Sequence, residues 1–544
     1  MLIKNTGEYS IIYIDMLRKL TRLHFTFALC TLLTMAPALA TKKYSERTYS
    51  GKYNNRKKKN WGKAGCPLAR FAQNQYDNKK GDISTDGKAN PRAISNLIFN
   101  QEAEILSKNG LSDMVWQWGQ FLDHDLDLSN INKAEPMPIE VPEGDQEFET
   151  DENGNQIIAF FRSLSRIGKK SRTRTQINEI SSYIDASNVY GSDPQRAQIL
   201  RQLNSGGQMK QSSNGRLPLN NFGMPNAGGA TRTDLYLAGD VRANEQIGLV
   251  AMHTLFVREH NRKAAIIAAQ NPNLTDEEIY QKTREYIGAL MQQITYNEFL
   301  PALLGAGALK PYAGYKKNKS ATISNEFATV AYRFGHSAVS PEILKVDNEG
   351  NVVETLEIMT SFFKPDLMAS YEDMGLILKG LGEKSMQEVD TKVMSGLRNF
   401  LFKDVPGEHQ LDLVAVNIQR GRDHGIANFN KLRAKFGLTP YTSFNQITSD
   451  SELSAKLASL YSSVEDADPW VLALAEDHKA GSNLGETAHA ILVDQFERLR
   501  DGDRFWFERT MTAEEIAEIK SLKLSDIVKL NSQITNIKSD IFRI

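Results

Sequence analysis

The most informative segment of the chain is Trp116-Gln117-Trp118-Gly119-Gln120-Phe121-Leu122-Asp123-His124-Asp125-Leu126-Asp127. On a helix each residue turns the side-chain direction by about 100°, so Gln120 and His124 share one face and Asp123 lies beside it. Asp125 points about 140° away from Gln120, towards a separate site. Apolar residues flank these groups, so we expect burial, and buried charges need partners. The alternative is a helix N-terminus whose acids favour the dipole, with a histidine satisfied in the core.

The composition is that of an ordinary globular protein: 544 residues, 41% hydrophobic and 24% charged. Lys and Arg (65) nearly balance Asp and Glu (66), which disfavours nucleic acid or an anionic membrane as the partner. Two cysteines, Cys30 and Cys66, cannot build a disulfide framework, a zinc ribbon or a Cys-ligated iron–sulfur cluster. Any metal must therefore be held by His, carboxylate, carbonyl or hydroxyl groups.

The N-terminal residues predict a targeting signal. A basic segment, residues 18–22, precedes an apolar run, residues 25–37, that ends in Ala38-Leu39-Ala40. This pattern is typical of a cleavable signal peptide over residues 1–40, with Met16 as an alternative start. We expect export to a periplasm or to the outside, with no transmembrane segment in the mature chain.

Residues 41–89 are polar and basic and include Arg56-Lys57-Lys58-Lys59. This composition predicts a solvated N-terminal arm, with polyanion binding as a minor alternative. From residue 90 to 544 we find no long linker, low-complexity tract or internal repeat. We therefore predict one large domain over 90–544.

Helical periodicity dominates this domain. The predicted helices span 246–269, 276–304 (with Thr275 as N-cap), 322–335, 411–418, 426–435 and 488–500. Strand patterns are few and short, and residues 351–356 are the best of them. The predicted class is mainly α.

The segment from Trp118 to Asp125 resembles the distal motif of the animal-type haem peroxidases, the relatives of myeloperoxidase, lactoperoxidase and peroxidasin. In that family the Gln and His lie over the haem, the preceding Asp can form an ester with a haem methyl, and the following Asp binds Ca²⁺. The resemblance implies these roles for Gln120, His124, Asp123 and Asp125, and a fold with haem b between central helices and few short strands. Vertebrate members are rich in disulfides, so the low cysteine count fits a bacterial secreted member.

A second segment is Ser181-Ser182-Tyr183-Ile184-Asp185-Ala186-Ser187-Asn188-Val189-Tyr190-Gly191. Alternate residues of an extended stretch point to one side, so Ser181, Asp185 and Ser187 can converge. Ca²⁺ takes about six to eight oxygen ligands, which suits these groups, although the pattern alone equally fits a hydrogen-bonded turn. The resemblance implies a calcium site made of Ser181, Tyr183 (by its carbonyl), Asp185, Ser187 and Asp125.

A third segment is Gly239-Asp240-Val241-Arg242-Ala243-Asn244-Glu245-Gln246. Arg242 and Glu245 are three residues apart and share a helix face, which alone would indicate a surface ion pair. The resemblance implies that Arg242 is the distal arginine and that Glu245 forms a second ester link to haem. Gln246 stands where myeloperoxidase has the Met that forms a sulfonium bond to haem. That bond is impossible here, and strong chloride oxidation is not expected.

Two further segments are Tyr332-Arg333-Phe334-Gly335-His336 and the block from Asn417 to Gly425. A histidine in such a place could be a packed core residue. The resemblance implies instead that His336 binds the haem iron, that Arg333 lies near a haem propionate, and that Arg420 contacts the cofactor. It also implies that Asn417 accepts a hydrogen bond from the outer nitrogen of His336. Such contacts fix the ring and increase its electron donation.

The implied function is a haem-dependent peroxidase acting on hydrogen peroxide. His124 would move a proton from the near to the far peroxide oxygen, as general base and then acid. Arg242 would stabilise the developing charge, and Gln120 would position water, peroxide or a small anion. The expected electron donors are organic one-electron reductants, or bromide, iodide and thiocyanate.

Two alternatives stay open from the sequence. A cyclooxygenase or fatty-acid dioxygenase carries a radical-forming Tyr three residues before the proximal His, where this chain has Arg333, and Tyr332 lies on a different helix face. Oxygen uptake with polyunsaturated fatty acid, without peroxide, would identify that activity. A non-catalytic adhesion protein on a peroxidase scaffold would use the basic residues 42–63. Loss of surface binding on deleting them, with no peroxidase activity in the intact protein, would identify that role.

Overall fold

The computed structural model describes residues 46–84, 87–148, 156–168, 172–229, 232–403, 405 and 409–544. The predicted signal peptide, residues 1–40, lies outside the described residues. Residues Tyr49–Ile544 form one compact unit. Helices outnumber short strands along the described chain, which confirms the prediction of a mainly α protein.

The α-helices of the described residues follow in chain order. They are α1 Pro91–Ile98, α2 Met114–Leu126, α3 Ser187–Tyr190, α4 Pro194–Leu200, α5 Ile247–Gln270, α6 Asp276–Ile294, α7 Leu300–Leu304, α8 Asn325–Thr329, α9 Gly335–Ala338, α10 Asp373–Glu383, α11 Ser395–Asn399, α12 Leu413–Asp423, α13 Phe429–Lys435, α14 Ser451–Leu460, α15 Pro469–Ala475, α16 Glu486–Asp501, α17 Phe507–Thr510, α18 Ala513–Ser521 and α19 Leu524–Asn531. Short 3₁₀ turns cover Ala331–Phe334, Ile358–Thr360, Pro365–Leu367 and Phe444–Gln446.

The strands are short and pair in small sheets. They are β1 Cys66–Pro67, β2 Asn100–Gln101, β3 Ile131–Pro136, β4 Ile139–Glu140, β5 Ile157–Ile158, β6 Phe161–Ser163, β7 Ser165–Ile167, β8 Arg174–Asn178, β9 Glu342–Val346, β10 Val352–Glu357 and β11 Val393–Met394. Strands β1, β8 and β7 form an antiparallel sheet, and the pairs are β9–β10, β3–β6 and β4–β5 (antiparallel) and β2–β11 (parallel). The predicted strand at 351–356 is confirmed by β10.

Helix α2 lies in the centre of the core and packs against α5, α9 and α10. Phe121 of α2 stacks on Phe256 of α5, with ring centroids 5.3 Å apart. The two helices meet at Gly248, where a Cβ atom would lie 2.1 Å from Oε1 of Gln117. A side chain at this position would have to displace the Gln117 amide, so glycine lets that amide lie against the backbone of α5.

The predicted helix 276–304 begins as expected and then changes its pitch. Thr275 and Glu278 form a reciprocal capping box at the start of α6. After Ile294 the chain makes a π-helical turn, Thr295–Phe299, before α7. Pro301 lies in the first turn of α7 and has no N–H to continue the regular hydrogen-bond ladder, which accounts for the irregularity at this point.

The predicted solvated arm, residues 41–89, differs from what the structure shows. From Tyr49 onwards the described residues belong to the same compact unit as the rest of the domain. The buried Asn54 donates from Nδ2 to Oδ1 of Asp503 at 2.7 Å, and the buried Tyr76 donates to the Asp423 carbonyl at 2.8 Å. The basic run 56–59 is itself exposed. Polarity patterning missed this burial because hydrogen bonds, and not apolar contacts, hold much of the segment.

None of the described helices combines the length and the apolar character that a bilayer crossing requires. The thiol of Cys66 is free and partly buried.

Candidate active site

A cavity of about 330 Å³ lies between α2, the residues that precede α5 and the segment leading into α9. Apolar side chains such as Trp116, Phe334 and Phe362 form part of its wall. The polar part of the wall is made by residues that the sequence had singled out: Gln120, Asp123, His124, Arg242, Glu245, Arg333, His336 and Arg420. Motifs that are far apart in the sequence therefore meet around one cavity.

One ring nitrogen of His336, on α9, contacts a neighbouring side chain, and the other ring nitrogen takes no part in this contact. Its Nδ1 lies 2.7 Å from Nδ2 of Asn417 on α12. Burial, and then the charge of Arg333, lower the pKa of His336 to about 3, so the ring is neutral at pH 7. A neutral imidazole has one N–H and one lone pair, so Nε2 can bind a metal ion when the ring proton is on Nδ1.

The orientation of the Asn417 amide differs from the expected one. Oδ1 of Asn417 accepts a hydrogen bond from Nη1 of Arg333. The atom of Asn417 that faces His336 is therefore Nδ2, and not Oδ1. The physical reason is that a guanidinium only donates hydrogen bonds and therefore takes the amide oxygen. The expected hydrogen bond from His336 to the Asn417 oxygen is not formed in this arrangement and stays a prediction. Nε of Arg333 also donates to the Ala328 carbonyl at 2.9 Å.

His124, on α2, is buried and has little hydrogen bonding. Its Nδ1 lies 3.7 Å from Oδ1 of Asp240 and has no hydrogen-bond partner among the described residues. Its Nε2 lies 3.9 Å from Oε2 of Glu245. Burial, and then the Arg242 charge, hold the pKa of His124 well below its usual value. The ring is therefore neutral at pH 7 and able to accept a proton.

Arg242 is held rigidly beside His124. Its Nε and Nη2 donate to Oδ1 and Oδ2 of Asp240 at 2.8 and 3.0 Å, and its Nη1 lies 3.4 Å from Oδ2 of Asp123. Nη2 also donates to the Asp127 carbonyl at 3.0 Å. Although burial opposes ionisation, the Arg242 charge and hydrogen bonds leave the pKa of Asp240 below its usual value. A fixed, fully ionised guanidinium therefore faces the cavity.

Asp240 and Asp127 are site residues to which sequence reasoning assigned no role. Asp240 comes two residues before Arg242, and the turn that joins them brings the carboxylate back onto the guanidinium. Asp127 follows Asp123 by four residues and caps the end of α2, where its backbone N–H donates to the Asp123 carbonyl. Burial, and then the Asp123 charge, raise the pKa of Asp127 well above its usual value. The i, i+4 spacing of two acids was the available signal.

The carboxyl of Glu245 belongs to the same polar wall. Nε2 of Gln120 donates to Oε2 of Glu245 at 3.2 Å, and Oε1 of Gln120 accepts from Nε2 of Gln246 at 3.1 Å. Burial raises the pKa of Glu245 to about 7 and also raises the pKa of Asp123. Both predicted ester-forming carboxyls thus line the cavity in surroundings that disfavour their charge.

Arg420, on α12, contacts both the cavity and the protein behind it. Its Nη1 donates to Oγ of Ser163 at 2.9 Å and to Oδ2 of Asp423 at 3.1 Å. Burial lowers the pKa of Arg420 to about 10, which still leaves it charged at pH 7. It can therefore present positive charge to an anionic group in the cavity.

The residues present fit a haem. The cavity combines a neutral imidazole suited to iron, a second neutral imidazole, charged guanidiniums and an apolar remainder. Two buried polar atoms of its wall, Nδ1 of His124 and Oη of Tyr332, have no hydrogen-bond partner among the described residues. Such polar groups are costly inside a protein unless they serve a bound group.

The predicted calcium residues also come together. Oδ2 of Asp125 accepts from the backbone N–H groups of Asp185 and Ala186 at 3.0 and 3.1 Å, and Oδ1 accepts from Oγ of Ser187 at 2.7 Å. Oγ of Ser181 donates to Oδ2 of Asp185 at 3.0 Å. Burial, and then the Asp185 charge, raise the pKa of Asp125 to about 7. Two buried carboxyls that disfavour each other's charge suit an added cation.

The shape of this loop differs from the predicted extended stretch. Ala186 has φ of +60°, in the left-handed region, and the chain reverses there before α3. This turn, and not alternation along a strand, brings Asp185 and Ser187 to Asp125. The Tyr183 side chain points elsewhere, since its hydroxyl donates to the Trp61 carbonyl at 2.9 Å. Across the described residues no three His, Cys, Asp or Glu side chains form a metal cluster, so hydroxyl and carbonyl oxygens would have to complete the site.

Comparison with known proteins identifies the family. The family model "Animal haem peroxidase" matches residues 46–542. Peroxinectin A of Dictyostelium discoideum is 38% identical over 516 residues, which cover 91% of this chain and 95% of that protein. The chain therefore belongs to the animal haem peroxidase family. It is an oxidoreductase that acts on hydrogen peroxide.

Solved structures agree with this assignment. Peroxidase A from Dictyostelium discoideum superposes with a TM-score of 0.85 at 36% identity, covering 92% of this chain and 99% of that one. A fatty acid alpha-dioxygenase of Oryza sativa superposes with a TM-score of 0.77 at 19% identity, covering 92% of this chain and 87% of that one. The second likeness shows a shared fold alone. The peroxidase interpretation is thus supported over the dioxygenase and adhesion alternatives.

Proposed function

We propose that haem b binds in the cavity with its iron on Nε2 of His336, and that His124, Arg242 and Gln120 carry out peroxide cleavage. The observation that carries this proposal is the presence of two neutral imidazoles, His336 and His124, in the wall of one cavity. One is oriented by Asn417 through its other nitrogen, and the other lies against the Asp240–Arg242 pair.

The haem, when bound, supplies the iron that binds peroxide and the electrons that reduce it. Nε2 of His124 accepts the proton of the near peroxide oxygen and returns it to the far oxygen, which leaves as water. The Arg242 guanidinium stabilises the negative charge that develops on the departing oxygen. Gln120, hydrogen-bonded to Glu245 and Gln246, orients the peroxide or a small anion.

The proposal extends to how the cofactor is held. Asp123 and Glu245 would form ester links to methyl groups of the haem, and peroxide would take up the two electrons and two protons lost in each link. Their poor solvation and position in the cavity wall support this role. Arg333 and Arg420 bind its propionates. Arg333 then exchanges the Asn417 oxygen for a propionate, which frees the amide to turn its oxygen to His336.

The remaining parts of the proposal concern calcium, donors and location. Ca²⁺ binds between Asp125 and the loop of Ser181, Tyr183, Asp185 and Ser187. The electron donors are small organic reductants, or bromide, iodide and thiocyanate. Export rests on residues 1–40, which lie outside the described part of the chain.

The test uses the purified protein loaded with hemin. We expect an intense absorption band of bound haem, and His124→Ala should retain this band while peroxide cleavage slows by about 10²–10⁴-fold. His336→Ala should change the band itself, since the iron loses its ligand. The matched control is His409→Ala, because His409 is exposed. A folded protein that refuses hemin, or undiminished cleavage by His124→Ala, would overturn the proposal.

A further inference from the structure

A row of aromatic rings leads from the cavity to the protein surface. Tyr332 lies in the cavity wall, and its ring centroid is 5.8 Å from that of Phe496 on α16. Phe496 is 6.1 Å from Tyr296, and Tyr296 is 4.9 Å from Trp506. Trp506 is 5.8 Å from Tyr312, whose side chain is partly exposed although its hydroxyl oxygen is buried. Each ring thus contacts the next, and the last reaches solvent.

The chemistry of the row suits electron transfer. Phenol and indole rings lose an electron more readily than other side chains, and transfer between them is rapid only when the rings are close. Phe496 does not itself lose an electron readily, but it lies between Tyr332 and Tyr296 and bridges them.

Trp506 is the residue of the row best suited to hold the oxidised state. Its Nε1–H lies 3.4 Å from Oε2 of Glu508, a carboxylate that can take the indole proton when the ring loses an electron. The Tyr296 hydroxyl instead donates to the backbone carbonyl of Phe496, which is a poor base. The indole is 3% exposed, so a donor would reach it through Tyr312.

The surface around the end of the row is basic. The guanidinium of the exposed Arg509 lies 5.5 Å from the ring of Tyr315, and Lys317 is exposed two residues further along. Arg500, whose guanidinium lies 5.7 Å from the ring of Tyr312, is buried and pairs with Asp501. Arg504 donates to the backbone of Asn54, next to the exposed run Arg56-Lys57-Lys58-Lys59. None of these four basic residues lines the cavity. Such a surface attracts anionic molecules and speeds their encounter.

We propose that Tyr312 and Trp506 form a second, surface oxidation site, for anionic phenolic donors too bulky to enter the cavity. Peroxide is the oxidant, and its reduction to two water molecules takes up two electrons and two protons. Each electron passes along the row from Trp506, whose proton moves to Glu508. A phenol at Tyr312 then returns an electron to Trp506 and releases its own proton to solvent, while Glu508 returns the proton to the indole nitrogen. Two phenols are thus oxidised for each peroxide. The inference rests on the proposed haem-dependent function.

The experiment uses hemin-loaded protein, peroxide and three donors that carry the same phenol. These are free tyramine, tyramine coupled to neutral dextran and tyramine coupled to carboxymethyl-dextran. Trp506→Phe should slow oxidation of both polymers by about tenfold or more and leave free tyramine within about twofold. Added salt should slow the anionic polymer more than the neutral one. The control Tyr441→Phe, which removes a phenol outside the row, should change none of these rates.

A second readout does not depend on donor turnover. With peroxide and a nitroso spin trap but no donor, peptide mass spectrometry should find the trap on Trp506 or Tyr312, and Trp506→Phe should reduce the Tyr312 adduct. Unchanged polymer oxidation by Trp506→Phe, or equal loss with free tyramine, would overturn the inference. If the wild-type protein oxidises free tyramine but neither polymer, only this inference is overturned and the proposed function stands. Failure with free tyramine also overturns the proposed function.

Discussion

Asp240 holds the guanidinium of Arg242 through both Nε and Nη2, at 2.8 and 3.0 Å, and both side chains are largely removed from solvent. The same carboxylate lies 3.7 Å from Nδ1 of His124. One buried acid therefore positions the two groups proposed to act on peroxide.

Asp240→Asn should weaken both protein stability and peroxide cleavage. The amide cannot neutralise Arg242, which is left with its 3.4 Å contact to Asp123, and breaking a buried ion pair costs about 3 kcal/mol of unfolding free energy. We expect peroxide cleavage, measured by stopped-flow absorption, to slow by about tenfold or more because Arg242 is no longer held. The matched control is Asp234→Asn, which breaks an exposed pair of the same spacing with Arg232 and should cost at most about 0.5 kcal/mol. Equal behaviour of the two variants would contradict a positioning role for Asp240.

Haem attachment should depend on two carboxyls. Acid–acetone should extract little haem from peroxide-treated wild-type protein, more from Glu245→Gln or Asp123→Asn, and nearly all from the double variant, because an amide cannot form the ester. Absorption of the extracted and retained fractions measures this. Gln120→Glu is a control because it adds a carboxyl to the same wall. When it is introduced into the double variant, it should not restore haem retention. Full extraction from the wild type would show that no ester forms.

The stability of the haem-free protein should fall as pH rises through the range set by Glu245. Burial raises the pKa of this group from 4.5 to about 7, so the folded state binds the proton more tightly than the unfolded state. Its contribution is fully present below about pH 4.5 and is lost as pH rises towards 7, by about 3 kcal/mol at most. Urea unfolding of wild type and Glu245→Gln at several pH values isolates this effect. If the unfolding free energies of the two proteins changed with pH in the same way, the prediction would be wrong.

Chelation should destabilise the protein if the Asp125 loop binds calcium. A ligand present at about 100 times its dissociation constant adds about 2.7 kcal/mol of stability. EDTA should therefore lower the melting temperature of the wild type, Ca²⁺ should restore it, and Mg²⁺ should not, since it prefers smaller octahedral sites. Asp125→Asn should melt at the same temperature with and without EDTA. Metal analysis that finds no calcium in the wild type would decide against the site.

Much of the cavity could be predicted because its residues belong to short, ordered motifs. His124, Arg242 and His336 come from three separate segments, and each lines the cavity as expected. The helix spacing that paired Gln120 with His124 holds, since both lie on the cavity side of α2. Helical periodicity is enough to predict which side chains line a site when the helix presents one face to that site.

What the sequence could not predict depends on contacts between distant segments. The orientation of the Asn417 amide follows from Arg333, 84 residues earlier in the chain. The burial of Asn54 depends on Asp503, 449 residues later. The sequence predicted an extended calcium loop and not a turn. The left-handed backbone at Ala186 could not be predicted, since only glycine would have indicated it.

Gly248 shows how a position outside the cavity wall can affect the hydrogen bonds of that wall. The absence of a side chain lets the amide of Gln117 lie against the backbone of α5, where its Oε1 accepts from Nε2 of Gln246. A methyl group there would meet Oε1 of Gln117 and Oε1 of Gln246 and would displace both amides. Since Gln246 also donates to Gln120 in the cavity wall, a residue without a side chain keeps three linked amides in place beside the proposed peroxide site.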